Sequence, residues 1–411
     1  MKYGCIGESL KHSFSKEIHN ILTDYDYEIR EVEKDKLDLF MSKKEFTAIN
    51  VTIPYKEKVI PHLYYIDEHA KLIGAVNTIV NKQGKLYGYN TDFFGLERLL
   101  KKAQIDVCGK KVAILGTGGT SKTANAVCKS KNAREIVVVS RSASQSSISY
   151  QDLYDNHSDV EVIINCTPNG MYPNNYSSPI DLNKLPKVEG VIDAIYNPLK
   201  SVLISTALEK GIKALGGLYM LVAQAVKACE IFLNTTFESD VLDKTYQTIL
   251  SQKQNIVLIG MPSSGKTTIG KKLAQMTNKQ FIDTDVEIEK LGEKITDIFN
   301  SKGEKYFRDV ESQVVLETAK KTGAIIATGG GSVLRKENVK ALKQNGIIVF
   351  LDRSIENLIP TTDRPLSSDV NALKKRYQER YSIYCDCCDV KVNGDLTIDQ
   401  VAQSILREIN I

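Results

Sequence analysis

Two glycine-rich segments in this chain have the composition and spacing to hold phosphates. Gly260-Met-Pro-Ser-Ser-Gly-Lys-Thr267 fits the pattern G-x-x-x-x-G-K-[ST] and lies between an apolar run, Asn255–Ile259, and a helical pattern. Backbone N–H groups of such a loop wrap nucleotide phosphates, a lysine at the position of Lys266 meets the β and γ oxygens, and a hydroxyl at Thr267 coordinates Mg²⁺. Ser263, Ser264, Gly265 and Thr268 complete that cradle. The pattern leaves ATPase, GTPase and small-molecule kinase open. The other segment, Gly116-Thr-Gly-Gly-Thr-Ser121, follows Lys111–Leu115 and opens a helix. Gly116, Thr117, Gly118, Gly119, Thr120 and Ser121 can therefore offer N–H groups and a helix dipole to a pyrophosphate. Ser121 stands where the dinucleotide fingerprint usually has its third glycine. The next strand ends Val137-Val-Val-Ser140-Arg141, with no Asp or Glu to hold a ribose diol. Arg141, beside Ser140, offers a planar cation to a 2′-phosphate, which favours NADP over NAD; the competing reading is an ordinary exposed arginine after a strand.

Positioning these loops requires two α/β sheets. From about residue 103 the pattern is strand–helix–strand, with Glu135–Val139, Val162–Asn165 and Val191–Asp193 as buried strands, the signature of a doubly wound sheet. Residues 1 to about 100 alternate short strands (Lys2–Ile6, Tyr27–Val32, Ala48–Ile53) with helices, and Asn81-Lys-Gln-Gly84 reads as the turn of a hairpin joining Val76–Val80 to Lys85–Tyr89. A late helix, Gly217–Phe232, is expected to pack back across this first part. Between Asn234 and Gln254 the apolar periodicity lapses, apart from a short helix at Leu242–Leu250, so this stretch reads as a tether with the domain boundary near Gln252. The expected organisation is thus 1–252, divided into a substrate subdomain (1–102 with 215–252) and a Rossmann-type dinucleotide subdomain (103–214), followed by a P-loop domain of nucleoside-monophosphate-kinase type at 253–411.

At about 150 residues per domain, 411 residues suffice for two or three domains with cores of their own. Hydrophobic residues at 42% and charged residues at 25% argue against disordered and fibrous classes. The longest apolar runs, near Val112–Leu115 and Ile347–Leu351, are too short to cross a bilayer, and no apolar leader precedes the first strand; a cytosolic protein is expected. A net charge of +4 without a basic block does not predict nucleic-acid binding. Most of the eight cysteines lie scattered in apolar segments, as reduced thiols do. Cys385 and Cys388 form C-x-x-C beside Cys387, but no second pair or neighbouring histidine completes a zinc site.

The first hundred residues supply a substrate. His12-Ser-Phe-Ser-Lys-Glu-Ile-His-Asn20, Asn50-Val-Thr-Ile-Pro-Tyr-Lys56, Gly74-Ala-Val-Asn-Thr78, Gly88-Tyr-Asn-Thr-Asp92 and later Gly217-Leu-Tyr-Met-Leu-Val-Ala-Gln224 resemble, in order and spacing, the motifs of shikimate dehydrogenase over residues 1–250. The resemblance implies reduction of 3-dehydroshikimate by NADPH, with Lys56 and Asp92 at the catalytic positions. It places Ser13, Ser15, Thr52, Asn77, Tyr196 and Gln224 on the substrate and Gly217 near the cofactor. That chemistry agrees with the residue types, since hydride addition to a ketone leaves an alkoxide that needs a proton, which a lysine balanced by an aspartate can give. Taken blindly, Ser13 and Ser15 could cap the following helix, and Asn77 and Gln224 could satisfy buried backbone. Lys16 stands in place of the family's usual proline, and Gln145 where many relatives carry a second arginine near the 2′-phosphate. None of His12, His19, His62, His69 and His157 is assigned a catalytic role.

Beyond the P-loop, Phe281-Ile-Asp283-Thr-Asp285, Tyr306-Phe-Arg308-Asp-Val-Glu311, Thr328-Gly-Gly-Gly331, Asp363-Arg364-Pro-Leu366 and Glu379-Arg380-Tyr-Ser-Ile-Tyr384 resemble shikimate kinase over residues 254–411. The resemblance assigns Asp283 to the metal, Asp285 to the hydroxyl that is phosphorylated, Arg308 and Arg380 to the shikimate carboxylate, Gly330 to the loop beside the ring, and Arg364 to the ATP phosphates. On spacing alone Arg308 is equally an ion-pair partner of Glu304 or Glu311. Ser382 replaces a usual proline. The two resemblances together imply a bifunctional enzyme of small-molecule substrates, with NADP(H), ATP and Mg²⁺, acting at consecutive steps toward chorismate and the aromatic amino acids. The alternatives are a ligand-binding regulator without turnover, a quinate and NAD enzyme in the first half, and a generic P-loop NTPase in the second.

Overall fold

The protein is described from a computed structural model, which covers residues 1–8, 10, 14–358 and 370–410. Ser13 and Arg364, both expected at the sites, lie outside the described residues, as do His12 and Asp363. The chain forms two compact units, Met1–Ile249 and Leu250–Ile411.

The first unit holds two sheets. Strands β1 (Tyr3–Gly7), β2 (Tyr27–Glu31), β3 (Ala48–Val51), β4 (Tyr65–Ile66), β5 (Thr78–Lys82) and β6 (Lys85–Tyr89) make a six-stranded sheet in the order β2-β1-β3-β5-β6-β4. β1 runs parallel to β2 and β3, whereas β5 is antiparallel to both β3 and β6. The four-residue turn expected at 81–84 shrinks to Gln83-Gly84, both with positive φ (53° and 81°), the backbone that a two-residue hairpin of matching twist demands. Strands β7 (Lys111–Leu115), β8 (Glu135–Val139), β9 (Val162–Asn165), β10 (Gly190–Asp193) and β11 (Lys213–Leu215) form a parallel sheet in the order β11-β10-β9-β7-β8. Every residue of β7 and β9 is buried, as strands covered on both faces by helices must be. The strand order reverses between β7 and β9, and ligands of such sheets bind beyond the strand ends at that reversal.

Two helices connect the sheets to the site. Thr91–Lys102 buries Phe93, Leu96, Leu99 and Leu100 on one face at helical spacing. Leu218–Leu233 packs against it and against the helix Ser15–Leu22. Gly95 permits the close approach, since a Cβ there would lie 2.8 Å from the Met220 carbonyl oxygen.

The second unit is one parallel sheet of β12 (Asn255–Ile259), β13 (Gln280–Asp283), β14 (Ala324–Ala327), β15 (Gly346–Asp352) and β16 (Val390–Asn393), ordered β13-β14-β12-β15-β16. Strand β12 is therefore central, with the loop Gly260–Gly265 at its C-terminal end between two crossover directions. The polar stretch before it is not a loose tether. A helix spans Val241–Lys253 and leaves only Gln254 before β12. Among the described residues no helix is long and apolar enough to cross a membrane.

Candidate active sites

In the first unit, Ser15, Thr52, Lys56, Asn77, Asp92, Thr120, Tyr196, Gly217 and Gln224 line one cleft of about 570 Å³. Its chemical centre is Lys56 Nζ, which donates to Asp92 Oδ2 at 2.6 Å, with both side chains mostly buried. Each partner is held by backbone. The Val76 N–H bonds the Lys56 carbonyl at 2.8 Å, just after β3. Asp92 lies in the first turn of the Thr91–Lys102 helix, whose N-cap, Asn90, accepts the Asp92 N–H at 3.0 Å and donates to the Ala75 carbonyl at 2.8 Å. Removing such a cap costs a helix about 1 kcal/mol, and here it would also release the carboxylate.

Asn77 fixes the other carboxylate oxygen, donating to Asp92 Oδ1 at 2.9 Å while its own Oδ1 accepts the Thr91 N–H at 2.8 Å. Asn77 thus satisfies backbone and orients Asp92 together. Gln224 behaves similarly, bonding the Leu221 carbonyl at 3.0 Å while its Oε1 accepts from Thr91 Oγ1 at 3.4 Å. The position that Ser13 or Ser15 could have capped is filled by Phe14, with no side-chain cap, and Ser15 begins the helix. Burial raises the Tyr196 hydroxyl above its ordinary pKa, so it remains a neutral donor.

Around the dinucleotide loop, Gly118 and Gly119 have open space where a Cβ would stand, room for a bound phosphate. Ser121, in place of a third glycine, is buried in the first turn of the helix Gly119–Ser130. Ser140 closes β8, and Arg141 is exposed just beyond it. A hub under this cleft went unnoticed in the sequence. Asp193, fully buried at the end of β10, accepts from Asn165 Nδ2 (2.9 Å), Ser201 Oγ (2.5 Å) and the Ile195 N–H (3.0 Å). It ties down the turn that presents Ala194 and Tyr196 to the cleft. Burial pushes its carboxyl up to about 6, against those three donors. An aspartate ending an otherwise apolar strand was the available signal.

In the second unit, Gly260 (φ 147°), Ser263 (65°) and Gly265 (91°) curl the loop. Lys266 Nζ lies over it, donating to the Gly260 and Met261 carbonyls at 3.0 and 2.8 Å. Thr267 Oγ1 donates to Asp283 Oδ2 at 2.7 Å, two hard oxygen donors side by side, and Asp283 Oδ1 accepts the Asp285 N–H at 3.0 Å. Beyond them, Arg308 satisfies both readings of its spacing. Nη1 donates to Glu311 Oε2 at 2.7 Å and Nη2 to Glu304 Oε1 at 3.2 Å, yet the guanidinium is mostly buried. A side chain at Gly331 would collide with it. Arg380, also buried, donates to the Gly330 carbonyl at 3.2 Å, and the Tyr384 hydroxyl donates to the same oxygen. Glu311 Oε1 takes a further bond from Ser332 Oγ at 2.8 Å. Sequence reasoning overlooked Arg376, one helical turn before Arg380; burial and then the charge of Arg380 lower its pKa, marking it as part of the same basic cluster. The i, i+4 spacing was the signal. Cys385, Cys387 and Cys388 pack against the core of this unit, and no metal-ligating cluster occurs among the described residues.

Comparison with known proteins gives two family matches. Residues 5–79 match the model of the shikimate dehydrogenase substrate binding domain, and residues 262–410 that of shikimate kinase. A shikimate dehydrogenase (NADP(+)) of Clostridium perfringens (strain SM101 / Type A) is 37% identical over 263 residues, 60% of this chain and 97% of that protein. Among solved structures, a chorismate mutase/shikimate 5-dehydrogenase fusion protein from Clostridium acetobutylicum is 36% identical with a TM-score of 0.57, over 60% of this chain and 96% of that one. Shikimate dehydrogenase 1 from Peptoclostridium difficile is 37% identical with a TM-score of 0.55, over 61% and 98%.

Proposed function

The chain belongs to the shikimate dehydrogenase family, and from that premise, with a shikimate kinase match behind it, we infer that it is a bifunctional enzyme of the shikimate pathway. Its first unit reduces 3-dehydroshikimate to shikimate, and its second phosphorylates the shikimate hydroxyl that the first creates. When bound, NADPH supplies the hydride and Mg²⁺-ATP the phosphoryl group. The open face over Gly118 and Gly119 fits a pyrophosphate and exposed Arg141 a 2′-phosphate, while the curled loop fits nucleotide phosphates and the Thr267–Asp283 oxygen pair fits a hard divalent cation.

The observation that carries the first activity is the 2.6 Å contact of Lys56 with Asp92 inside the cleft. Negative charge developing on a carbonyl oxygen there meets the Lys56 ammonium, which donates the proton. Asp92, fixed by Asn77 and Asn90, holds Nζ in place and balances its charge. Ser15, Thr52, Asn77, Tyr196 and Gln224 are the polar groups that would bind the substrate's hydroxyls and carboxylate. In the second unit Asp285 orients the attacking hydroxyl, Arg308 and Arg380 hold the carboxylate, and Lys266 neutralises the phosphate oxygens. A cytosolic location belongs to the same reading, in keeping with the buried free thiols of Cys5, Cys128 and Cys229.

One absorbance trace tests both activities. Protein, NADPH and 3-dehydroshikimate are brought to a plateau short of completion, then given ATP and Mg²⁺. A fall, then a second fall as phosphorylation draws off shikimate, is the expected result. No response to ATP would remove the kinase assignment, and no fall at all would leave a ligand-binding regulator.

A further inference from the structure

We propose that Arg353 is a nucleotide-binding residue of the second unit, its guanidinium contacting the phosphate chain from the β15 side of the loop Gly260–Gly265. The inference rests on the kinase reading of that unit and extends it to a residue outside the P-loop pattern.

The backbone places Arg353 there. β15 is hydrogen-bonded to β12 along its length, from Asn255↔Gly346 to Ile259↔Phe350. Where β12 turns into the loop, a Cβ on Gly260 would stand 2.9 Å from the Leu351 carbonyl oxygen, so the residues after Leu351 emerge on the loop's flank. Two positions on, Arg353 Nη1 lies 3.8 Å from where a Cβ on Gly265 would be. Gly265 is the N-cap of the twelve-residue helix Lys266–Thr277 and has no side chain to cap it. The free N–H groups and the positive end of the dipole at that terminus attract an anion, and the guanidinium borders the same space.

Arg353 is also short of acceptors. Its Nε is buried without a hydrogen-bond partner, and the nearest carboxylate oxygen, Asp395 Oδ1, lies 3.8 Å away, beyond hydrogen-bonding reach. Asp395 is already engaged by the Ser354 N–H at 3.1 Å and by Asn357 Nδ2 at 2.9 Å. Nε is closed off from solvent, so it is at Nη1, bordering the Gly265 space, that an acceptor from solution can meet the guanidinium. With 33% of the side chain exposed, such an acceptor has access. Lys266, by contrast, is 6% exposed and bonded to the loop's own carbonyls. The two cations differ in role: Lys266 lies within the loop and Arg353 on its rim, where a planar fork can grip phosphate oxygens in pairs.

The test uses the full chain as wild type, Arg353→Gln and Arg353→Lys, with the dehydrogenase rate as a control for intact protein. Calorimetric titration of ADP and of inorganic tripolyphosphate, each with Mg²⁺, should show Kd raised roughly tenfold or more by Arg353→Gln, because charge-assisted bonds are lost. KM for ATP should rise in step and KM for shikimate should not. Arg353→Lys should recover only part, since an ammonium cannot fork. Equal ADP affinity in all three proteins would overturn the proposal. So would weakened ADP with unchanged tripolyphosphate, which would put the arginine on the nucleoside. A wild type that binds neither ligand would instead remove the kinase reading.

Discussion

The two sites solve opposite electrostatic problems. The cleft of the first unit holds Lys56 paired to Asp92 among neutral hydrogen-bonding groups, Ser15, Thr52, Asn77, Tyr196 and Gln224. The second unit gathers Lys266, Arg308, Arg353, Arg376 and Arg380, with Glu304, Glu311 and Asp283 set among them. The contrast follows from the chemistry. Hydride and proton together add no net charge to a ketone, so one balanced proton donor suffices, and extra cations would only demand desolvation. A phosphoryl group carries its charge throughout the transfer, so positioning and neutralisation are most of the catalysis.

The largest expected effect breaks the chain into its two activities. Lys56→Met removes the ammonium paired to Asp92, the proposed proton donor, and its kcat for reduction should fall about 10²–10⁴-fold, as loss of a general acid does. Phosphorylation should continue at the wild-type rate. Lys266→Met should do the reverse, with a fall on the order of 10²–10³-fold typical of losing a charge-stabilising donor. Steady-state assays of both reactions on each variant check this. A substitution that silenced both activities would mean that the sites are not separate.

A smaller effect sharpens the role of the hub beneath the first cleft. Asp193 is held up to about 6 by burial, above its ordinary value of 3.8. The folded state then keeps its proton at pH values where the unfolded chain has lost it. The sign follows: stability is unpenalised below about pH 4, declines as pH rises from about 4 to 6, and levels off above. At 1.36 kcal/mol per unit the decline is about 3 kcal/mol. Asp193→Asn, which keeps an acceptor for Asn165 and the Ile195 N–H, should flatten that portion of the curve. Urea unfolding of the first unit at pH 4, 5, 6 and 7 measures it, and identical slopes for variant and wild type would mean that Asp193 stays ionised under its three donors.

The second site was the more legible in the sequence, and the reason is distance along the chain. Gly260–Thr268 is contiguous and its strand and helix flank it directly, so one window shows the loop and its cation together, whereas Asp283, Asp285, Arg308 and Arg380 were assigned only through the resemblance of separate blocks. Lys56, Asn77, Asp92, Tyr196 and Gln224 come from five separate places, and no local pattern joins them; only the resemblance of whole blocks did. What stayed hidden in both units is defined by burial. Apart from the apolar run that Asp193 closes, nothing local marks it as buried, and nothing local separates Arg353 from an arginine after any strand. The helix Val241–Lys253 was underestimated for the complementary reason, since only Thr245 and Ile249 are buried on it and a largely solvated helix carries little apolar period.

The smallest effect separates the two partners of Arg308, which spacing could not rank. Glu304 lies at i−4, half exposed and 3.2 Å away; Glu311 lies at i+3, 1% exposed, 2.7 Å away, and bonded also to Ser332. An exposed pair within a helix contributes about 0.5 kcal/mol or less, because solvent screens it and two long side chains must be ordered. Glu304→Gln should therefore change stability by no more than that. On the proposed reading, in which Arg308 holds the substrate carboxylate, losing the Glu304 charge frees Nη2 for that carboxylate, and KM for shikimate in the kinase reaction should stay level or fall slightly. The buried Glu311 would go on fixing Arg308 against Gly331. A rise of about tenfold in that KM, equivalent to 1.4 kcal/mol, would reverse the ranking and make the exposed glutamate the one that sets the arginine's position.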